Sequence, residues 1–141
     1  MAMHPVSRGA NWGMGSRAPL EAGAVILDLS RMNRISGYDP EQGVIRVEPG
    51  VTFQTLADYL TRKQSLFFVP EIGGSPEASV LANALDRGDG AMGDRWNSLS
   101  DLEVVLPDGR IIDTGFSAFG AHRLSGLHPG ATGPLIDGLF S

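Results

Sequence analysis

Glycine-rich segments break this chain into short pieces, and they constrain its fold more than any other feature. Glycine accounts for 19 of the 141 residues, nearly twice its usual share of about 7%. Two loops are especially rich in it, Arg8–Ser16 and Asp86–Asn97. No apolar run approaches the roughly 18 to 20 residues that span a bilayer. The sequence therefore predicts short strands and helices joined by tight turns.

Composition excludes several classes of protein. Sixteen acidic residues against 11 basic ones give a net charge of -5, which argues against nucleic-acid or anionic-membrane binding. The absence of cysteine excludes disulfides, thiolate metal sites and cysteine-linked cofactors. The three histidines lack metal-ligand spacing, so we expect no metal. Because Met1–Gly15 lacks the apolar core of a signal peptide, we expect a cytoplasmic protein.

Short apolar runs predict a largely antiparallel sheet. Ala24–Leu29 is a compact, β-branched run, and Val44–Glu48 alternates with period two, so both are predicted to be strands. The turn residues of Ser36–Gly43 lie between them and favour antiparallel neighbours. A clear hairpin pairs Leu102–Leu106 with Arg110–Thr114 around a Pro-Asp-Gly turn.

Two helices are predicted beside these strands. Thr52 is a plausible N-cap for a helix ending near Arg62. A second helix is predicted over Glu77–Leu85, and Leu66–Val69 is expected to be buried. The apolar face of the first helix comprises Phe53, Leu56 and Leu60. The predicted fold class is α+β, with a mainly antiparallel sheet flanked by helices in one domain over residues 1–141.

Two glycine-containing loops have the chemistry of phosphate cradles. In the first, glycine N–H groups, the hydroxyls of Ser7 and Ser16, and the Arg8 guanidinium can meet an anion. In the second, Gly73–Ser75 precedes the predicted helix, whose N-terminus favours anions. Each loop can also be a plain turn, and the residues alone leave both interpretations open.

One carboxyl group stands out by its surroundings. Glu71 follows Val69-Pro70 and precedes two glycines, so partial desolvation would raise its pKa. The alternative is a solvated loop carboxylate. Asp94 and Arg95 are adjacent in the later glycine-rich loop and suit a local ion pair better than catalysis.

The order of motifs along the chain is more specific than any one of them. It resembles the FAD-binding domain of the vanillyl-alcohol oxidase and p-cresol methylhydroxylase flavoprotein family over nearly the whole chain. A cell-wall precursor reductase shares this FAD fold, but Glu48–Val51 and Gly93–Trp96 favour the phenol-oxidising branch. The motifs are Ser7–Gly15, Val25–Asn33, Glu48–Phe53, Val69–Glu71, Asn83–Gly88, Gly93-Asp94, Leu102–Gly109 and Gly133–Phe140.

This resemblance implies an FAD-binding subdomain of an oxidoreductase acting on phenolic or alcohol substrates. The first glycine-rich loop would hold the pyrophosphate, and Glu71 would lie near the flavin ring and assist substrate oxidation, although aspartate is commoner at that position. The residues assigned to cofactor binding are Ser7, Arg8, Gly9, Ala10, Asn11, Trp12, Gly13, Gly15, Ser16, Pro49, Gly73, Gly74, Ser75, Ser79, Asn83, Gly93, Asp94 and Glu103.

The chain also departs from the family pattern. Relatives that attach FAD through a histidine carry Arg-Gly-Gly-His in this loop, whereas Ala10 and Asn11 stand here, so noncovalent FAD is expected. The family's N-terminal βαβ subdomain and its substrate cap do not fit in 141 residues. We therefore expect a partial domain, too short to be active alone.

The expected partners are FAD and either another copy of this chain or a complementing flavoprotein chain. A strand edge at His4–Ser7 and an apolar turn at Leu135–Phe140 would be left uncovered, which favours self-association. The contrasting hypothesis is a non-enzymatic remnant that folds and self-associates without binding flavin.

Overall fold

A computed structural model describes residues 1–8, 19–69, 75–85, 89–90, 93–94 and 98–115. It divides into two compact units, the first comprising Met1–Tyr38 and Ile45–Asn83, the second Asp39–Val44 and Ala84–Ser141. Among the described residues, no helix has the length and apolar character needed to cross a membrane. The elements are β1 (Met3–Val6), β2 (Val25–Asp28), β3 (Ile35–Asp39), β4 (Val44–Val47), α1 (Phe53–Arg62), α2 (Val80–Leu85), β5 (Asp89–Gly90), β6 (Gly93–Asp94), β7 (Glu103–Val105) and β8 (Ile111–Asp113).

The α+β class is confirmed. In the described part of the chain, strands form four two-stranded sheets. Strands β5 and β6 are antiparallel, as are β7 and β8. Strands β3 and β4 are joined by only four residues, which permits an antiparallel hairpin and no parallel crossover. One pair, β1 and β2, is parallel.

The predicted pairing of Ala24–Leu29 with Val44–Glu48 is wrong. Strand β2 instead pairs with β1, in the register Met3 to Val25 and Val6 to Asp28. Strand β4 pairs with β3, most of which lies in the stretch that the turn chemistry assigns to a connection. Gly37 is part of β3 with φ +60, so its turn-like conformation occurs inside a strand rather than ending one.

Helix α1 forms as predicted and supplies most of the core. The Thr52 hydroxyl accepts a 3.0 Å hydrogen bond from the Thr55 N–H, which caps the helix. Its three predicted apolar residues are buried, and Val51 just before it is wholly buried. Partly buried side chains that pack against this core are Ile35, Tyr38, Ile45, Val47, Tyr59, Val69 and Val80.

Helix α2 begins at Val80 and not near Glu77 as predicted. The preceding residues form a turn in which the Ser75 hydroxyl accepts from the Glu77 N–H at 3.2 Å. The carbonyls of Pro76 and Ala78 accept hydrogen bonds from the first N–H groups of α1, at 2.9 and 3.1 Å. Because these carbonyls bond to another helix, the chain around them stays outside α2.

The expected burial of Leu66–Val69 is wrong for its first three residues. Leu66 is 97% exposed and Phe68 is 79% exposed, with Phe67 between them also exposed. Only Val69 packs against the core of the first unit. Apolar character alone did not predict burial here, because the segment follows the end of α1 and only its last side chain reaches the core.

The predicted hairpin of the second unit is confirmed. Strands β7 and β8 pair with Val104 opposite Ile112. Gly109 completes the turn with φ +86, and the Asp108 carboxylate accepts from the Arg110 N–H at 3.0 Å. Next to the strands, the buried Thr114 hydroxyl accepts from the Leu102 N–H at 2.8 Å.

Gly50 lies where no larger residue fits. Its N–H donates to the Met32 carbonyl at 2.7 Å. A Cβ added at this position would lie 2.6 Å from the Ser30 carbonyl oxygen and 2.7 Å from the oxygens of Leu29 and Met32. All three are backbone atoms, so the chain after β2 has to move if position 50 gains a side chain.

We expect Gly50→Ala to lower the free energy of unfolding by about 2 to 3 kcal/mol, because the new methyl group overpacks against three carbonyls. Gly23→Ala is the control, since Gly23 has φ +82 but no atom within 4 Å of its added Cβ. That variant should cost only the backbone strain, about 1 kcal/mol. Urea unfolding measures both, and equal costs would contradict the packing argument.

Candidate functional site

The first predicted loop leaves the carboxyl end of a parallel strand pair. Ser7 and Arg8 directly follow β1, and the Leu29 N–H after β2 donates to the Val6 carbonyl at 2.8 Å. Both strands therefore end at one edge of the sheet, carrying Asp28 and Arg8 to that edge. In α/β proteins, ligands bind outside the carboxyl ends of parallel strands. The position of Arg8 thus suits an anion site.

Ser79 joins α1 to α2. It is 4% exposed, its hydroxyl donates to the Pro49 carbonyl at 2.6 Å, and it accepts from the Ala82 N–H at 3.1 Å. Ser79 also forms an antiparallel bridge with Thr52, while the Val80 N–H donates to the Val51 carbonyl at 2.9 Å. We call these contacts between residues 49–54 and 76–82 the helix joint. Ser79 and Pro49, both assigned to the cofactor, have a structural role in it.

The helix starts in this region offer few N–H groups to an anion. The N–H groups of Phe53 and Gln54 bond to carbonyls of the preceding turn, and that of Thr55 bonds to Thr52. At α2, the N–H groups of Val80 and Ala82 are bonded within the helix joint. The second phosphate cradle was predicted because a helix N-terminus was expected next to Gly73–Ser75. Few free N–H groups are found at the helix starts near Ser75, so this reason for an anion site has little support.

An ion pair joins Arg8 to the segment that follows the second predicted loop. The Arg8 guanidinium lies 3.2 Å from the Glu77 carboxylate, 69 positions along the chain. Glu77 stands between Ser75 and Ser79, so Arg8 reaches the segment that follows the second predicted loop. Sequence reasoning missed Glu77, because no local pattern indicates a partner at that separation.

A second ion pair holds the β3–β4 hairpin. Glu48 accepts from the Arg34 backbone N–H and from its Nε, each at 2.8 Å. The side-chain hydrogen bond with Arg34 lowers the pKa of Glu48, and the same bond raises the pKa of Arg34. A carboxyl whose pKa is lowered by folding stabilises the folded state above its ordinary value of 4.5 and loses that contribution as pH falls through the folded value.

The candidate residues of the second unit lie on its strands. Gly93 and Asp94 form β6, with Gly93 opposite Gly90 and Asp94 opposite Asp89. Glu103 lies directly opposite Asp113 in the β7–β8 hairpin, and both are exposed. The face that they share also carries Val105 and Ile111.

Most of the two predicted loops lies outside the described residues. Glu71, the predicted catalytic acid, also lies outside them, so its role stays a prediction. Asn83 is described as a partly buried residue of α2. The other assigned residues outside the described part are Gly9, Ala10, Asn11, Trp12, Gly13, Gly15, Ser16, Gly73 and Gly74. The apolar turn expected at Leu135–Phe140 also lies outside it.

Comparison with known proteins identifies the class. The family described as FAD binding domain matches residues 1–115. This chain therefore belongs to the FAD binding domain family.

Two curated relatives refine the relationship. The chain is 41% identical to 1'-carboxy-chondrochloren decarboxylase of Chondromyces crocatus, covering 99% of this chain and 26% of the relative. It is 36% identical to the flavoprotein subunit of 4-cresol dehydrogenase (hydroxylating) of Pseudomonas putida, covering 96% of this chain and 26% of that one. The chain thus spans about a quarter of the length of these curated relatives.

Solved structures agree with the sequence relatives. p-Cresol methylhydroxylase with substrate bound has a TM-score of 0.88 at 34% identity, covering 99% of this chain and 28% of that one. A 4-ethylphenol oxidase from Gulosibacter chungangensis in complex with isoeugenol has a TM-score of 0.85 at 32% identity, covering 100% and 27%. The resemblance to the p-cresol methylhydroxylase family is confirmed.

The described residues fit the phosphate part of FAD. Arg8 offers a forked cation at the carboxyl edge of β1 and β2, where it stands beside the hydroxyl-bearing Ser7. Glycines of the following segment carry no side chains that would block close backbone approach. A guanidinium, hydroxyls and glycine N–H groups are the donors that a diphosphate needs.

Ser79→Ala tests the helix joint. We expect the free energy of unfolding to fall by about 2 kcal/mol, since the Pro49 carbonyl loses its partner and α2 loses a cap. Thr61→Ala is the control, because it removes a hydroxyl that is exposed on α1. Thermal unfolding should show little change for that control. A loss below about 0.5 kcal/mol for Ser79→Ala contradicts the structural role.

Proposed function

We propose that this chain supplies part of the FAD-binding domain of a flavoprotein that oxidises a phenolic or alcohol substrate. The observation that carries the proposal is the family match over residues 1–115, together with the fold shared with p-cresol methylhydroxylase. The remaining domains of the relatives, among them the substrate cap, would complete the enzyme. This assignment favours oxidoreductase chemistry over the contrasting hypothesis, a non-enzymatic remnant that binds no flavin.

The chain's own contribution is to bind and orient the cofactor. When bound, FAD supplies the acceptor for the two electrons and hydrogen removed from the substrate. Arg8 and Ser7 would hold the diphosphate at the carboxyl edge of β1 and β2. The helix joint would fix the segment after the second predicted loop, and Gly50 keeps that joint close to the chain after β2.

Noncovalent and weak FAD binding follows from two features. Ala10 and Asn11 stand where a covalently attaching relative carries glycine and histidine. The chain has a net charge of -5, so a diphosphate must be enclosed to be held tightly.

We expect FAD to bind the isolated chain with a Kd of about 1 μM or weaker. Isothermal titration of flavin-free protein measures this, and Arg8→Met should weaken it at least about fivefold. Light scattering on the same samples reports whether the exposed apolar residues of β1 and β2 drive self-association. Tightly held flavin after purification contradicts weak binding, and no binding at millimolar FAD favours the non-enzymatic remnant.

We further propose that Glu71 assists substrate oxidation near the flavin ring. The proposal is supported by the Val-Pro-acid motif. Val69 packs against the core of the first unit, and Glu71 follows it two positions later in the sequence. An acid at this place would hold or accept the proton that the substrate loses.

Glu71→Gln should slow flavin reduction at least about tenfold and leave FAD occupancy unchanged, since an acid acting in the chemical step does not bind the diphosphate. The measurement needs a chimera in which this chain replaces the matching quarter of the 4-cresol dehydrogenase flavoprotein subunit. Stopped-flow reduction gives the rate, and flavin absorbance gives the occupancy. Glu41→Gln, an exposed turn residue, is the control. Lost occupancy with an unchanged rate assigns Glu71 a structural role.

A second candidate function is decarboxylation of a carboxylated substrate. It is favoured by the 1'-carboxy-chondrochloren decarboxylase of Chondromyces crocatus, to which 99% of this chain aligns. The same flavin site would serve, so the residues above keep their roles. Carbon dioxide release by a completed enzyme, measured alongside flavin reduction, distinguishes the two functions.

A further inference from the structure

The ion pair between Arg8 and Glu77 places a carboxylate on the cation that the proposed function assigns to the FAD diphosphate. One Arg8 nitrogen meets one Glu77 oxygen at 3.2 Å. The Arg8 side chain is 32% exposed, whereas that of Glu77 is 66% exposed. A mostly covered guanidinium is therefore paired with a carboxylate that lies largely in water.

This pair is the loosest of the three ion pairs among the described residues. Arg34 meets Glu48 at 2.7 and 2.8 Å through two side-chain nitrogens. Arg110 meets Asp108 at 2.7 Å, supported by a backbone hydrogen bond. Charge-assisted hydrogen bonds are usually 2.7 to 2.9 Å long and often bidentate for arginine. The contact with Glu77 is longer and single.

Arg8 has the geometry to exchange this partner. A guanidinium carries five N–H donors in a planar fork that matches two oxygens of one anion. Glu77 uses one nitrogen, whereas a phosphate group presents several oxygens and more charge to the same fork. The Glu77 side of this ion pair lies largely in water, which weakens the attraction between the two charges, so little is lost when the pair opens. Glu77 is already largely hydrated and needs no new partner once it is released.

We propose that Glu77 is the resting partner of Arg8 and that a diphosphate ligand displaces it. The proposal rests on the proposed function, since it concerns the same anion site. Ligand binding at the end of β1 frees the Glu77 carboxylate. The turn that carries Glu77 stays in place, because the Pro76 and Ala78 carbonyls remain bonded to the first N–H groups of α1.

The test measures binding of inorganic pyrophosphate and of FAD to the full chain by isothermal titration at low ionic strength. Glu77→Gln and Glu77→Ala each remove the competing carboxylate, and both should tighten the Kd about twofold to fivefold, the range that exposed ion pairs span. Glu21→Gln is the matched control. It removes the same charge before β2, at the end of the sheet away from Arg8, and should change the Kd by less than about 1.5-fold.

A double-mutant cycle isolates the pair. In an Arg8→Met background, Glu77→Gln should no longer change the Kd for either probe. Weaker binding by both Glu77 variants means that the carboxylate positions Arg8 and stays beside the ligand, which overturns displacement. Equal FAD binding by all Glu77 variants and wild type overturns displacement but leaves the proposed function standing. If neither pyrophosphate nor FAD binds the wild type or any variant, the displacement proposal and the proposed function are both wrong.

Discussion

The hydrogen bond from the Ser79 hydroxyl to the Pro49 carbonyl, at 2.6 Å inside a buried environment, is the contact on which the first unit depends. On one side of it, Gly50 fits between three carbonyls of the chain after β2. On the other, α2 begins from the same serine. The chain after β2, the start of α1 and the start of α2 are thus joined at one place, through the Ser79 hydroxyl and several backbone groups.

The elements that the sequence predicted well are those set by local chemistry. Thr52 caps α1 through Thr55, three positions away, and Phe53, Leu56 and Leu60 repeat at helical spacing. The β7–β8 turn is equally local, since Asp108 and Gly109 act within a few residues. The predictions that were wrong concern features that depend on residues far away in the sequence. The pairing of β2 with β1 and the exposure of Leu66 follow from what else packs nearby, which a short window of sequence does not contain.

The residues of the candidate site also fall into those that local sequence predicts and those that depend on distant contacts. Arg8 could be chosen from its glycine-rich surroundings and from the family resemblance, and the comparisons confirm the FAD binding domain. Glu77 could not be predicted from the sequence, because its ion pair with Arg8 spans 69 positions. The family resemblance assigns Ser79 to cofactor binding. The structure gives its hydroxyl a donor role toward Pro49 and an acceptor role toward Ala82, a pattern visible only once both helices are placed.

The outward face of the β7–β8 hairpin has a consequence for how copies of this protein meet one another. Glu103 and Asp113 repel across the strands, a small cost within the chain. They flank the exposed pair Val105 and Ile111, the kind of apolar strand surface onto which a second hairpin would add. Any copy approaching edge to edge brings the same acidic row with it. Like charges placed together on a strand pair are a feature that disfavours the addition of a second, identical strand pair.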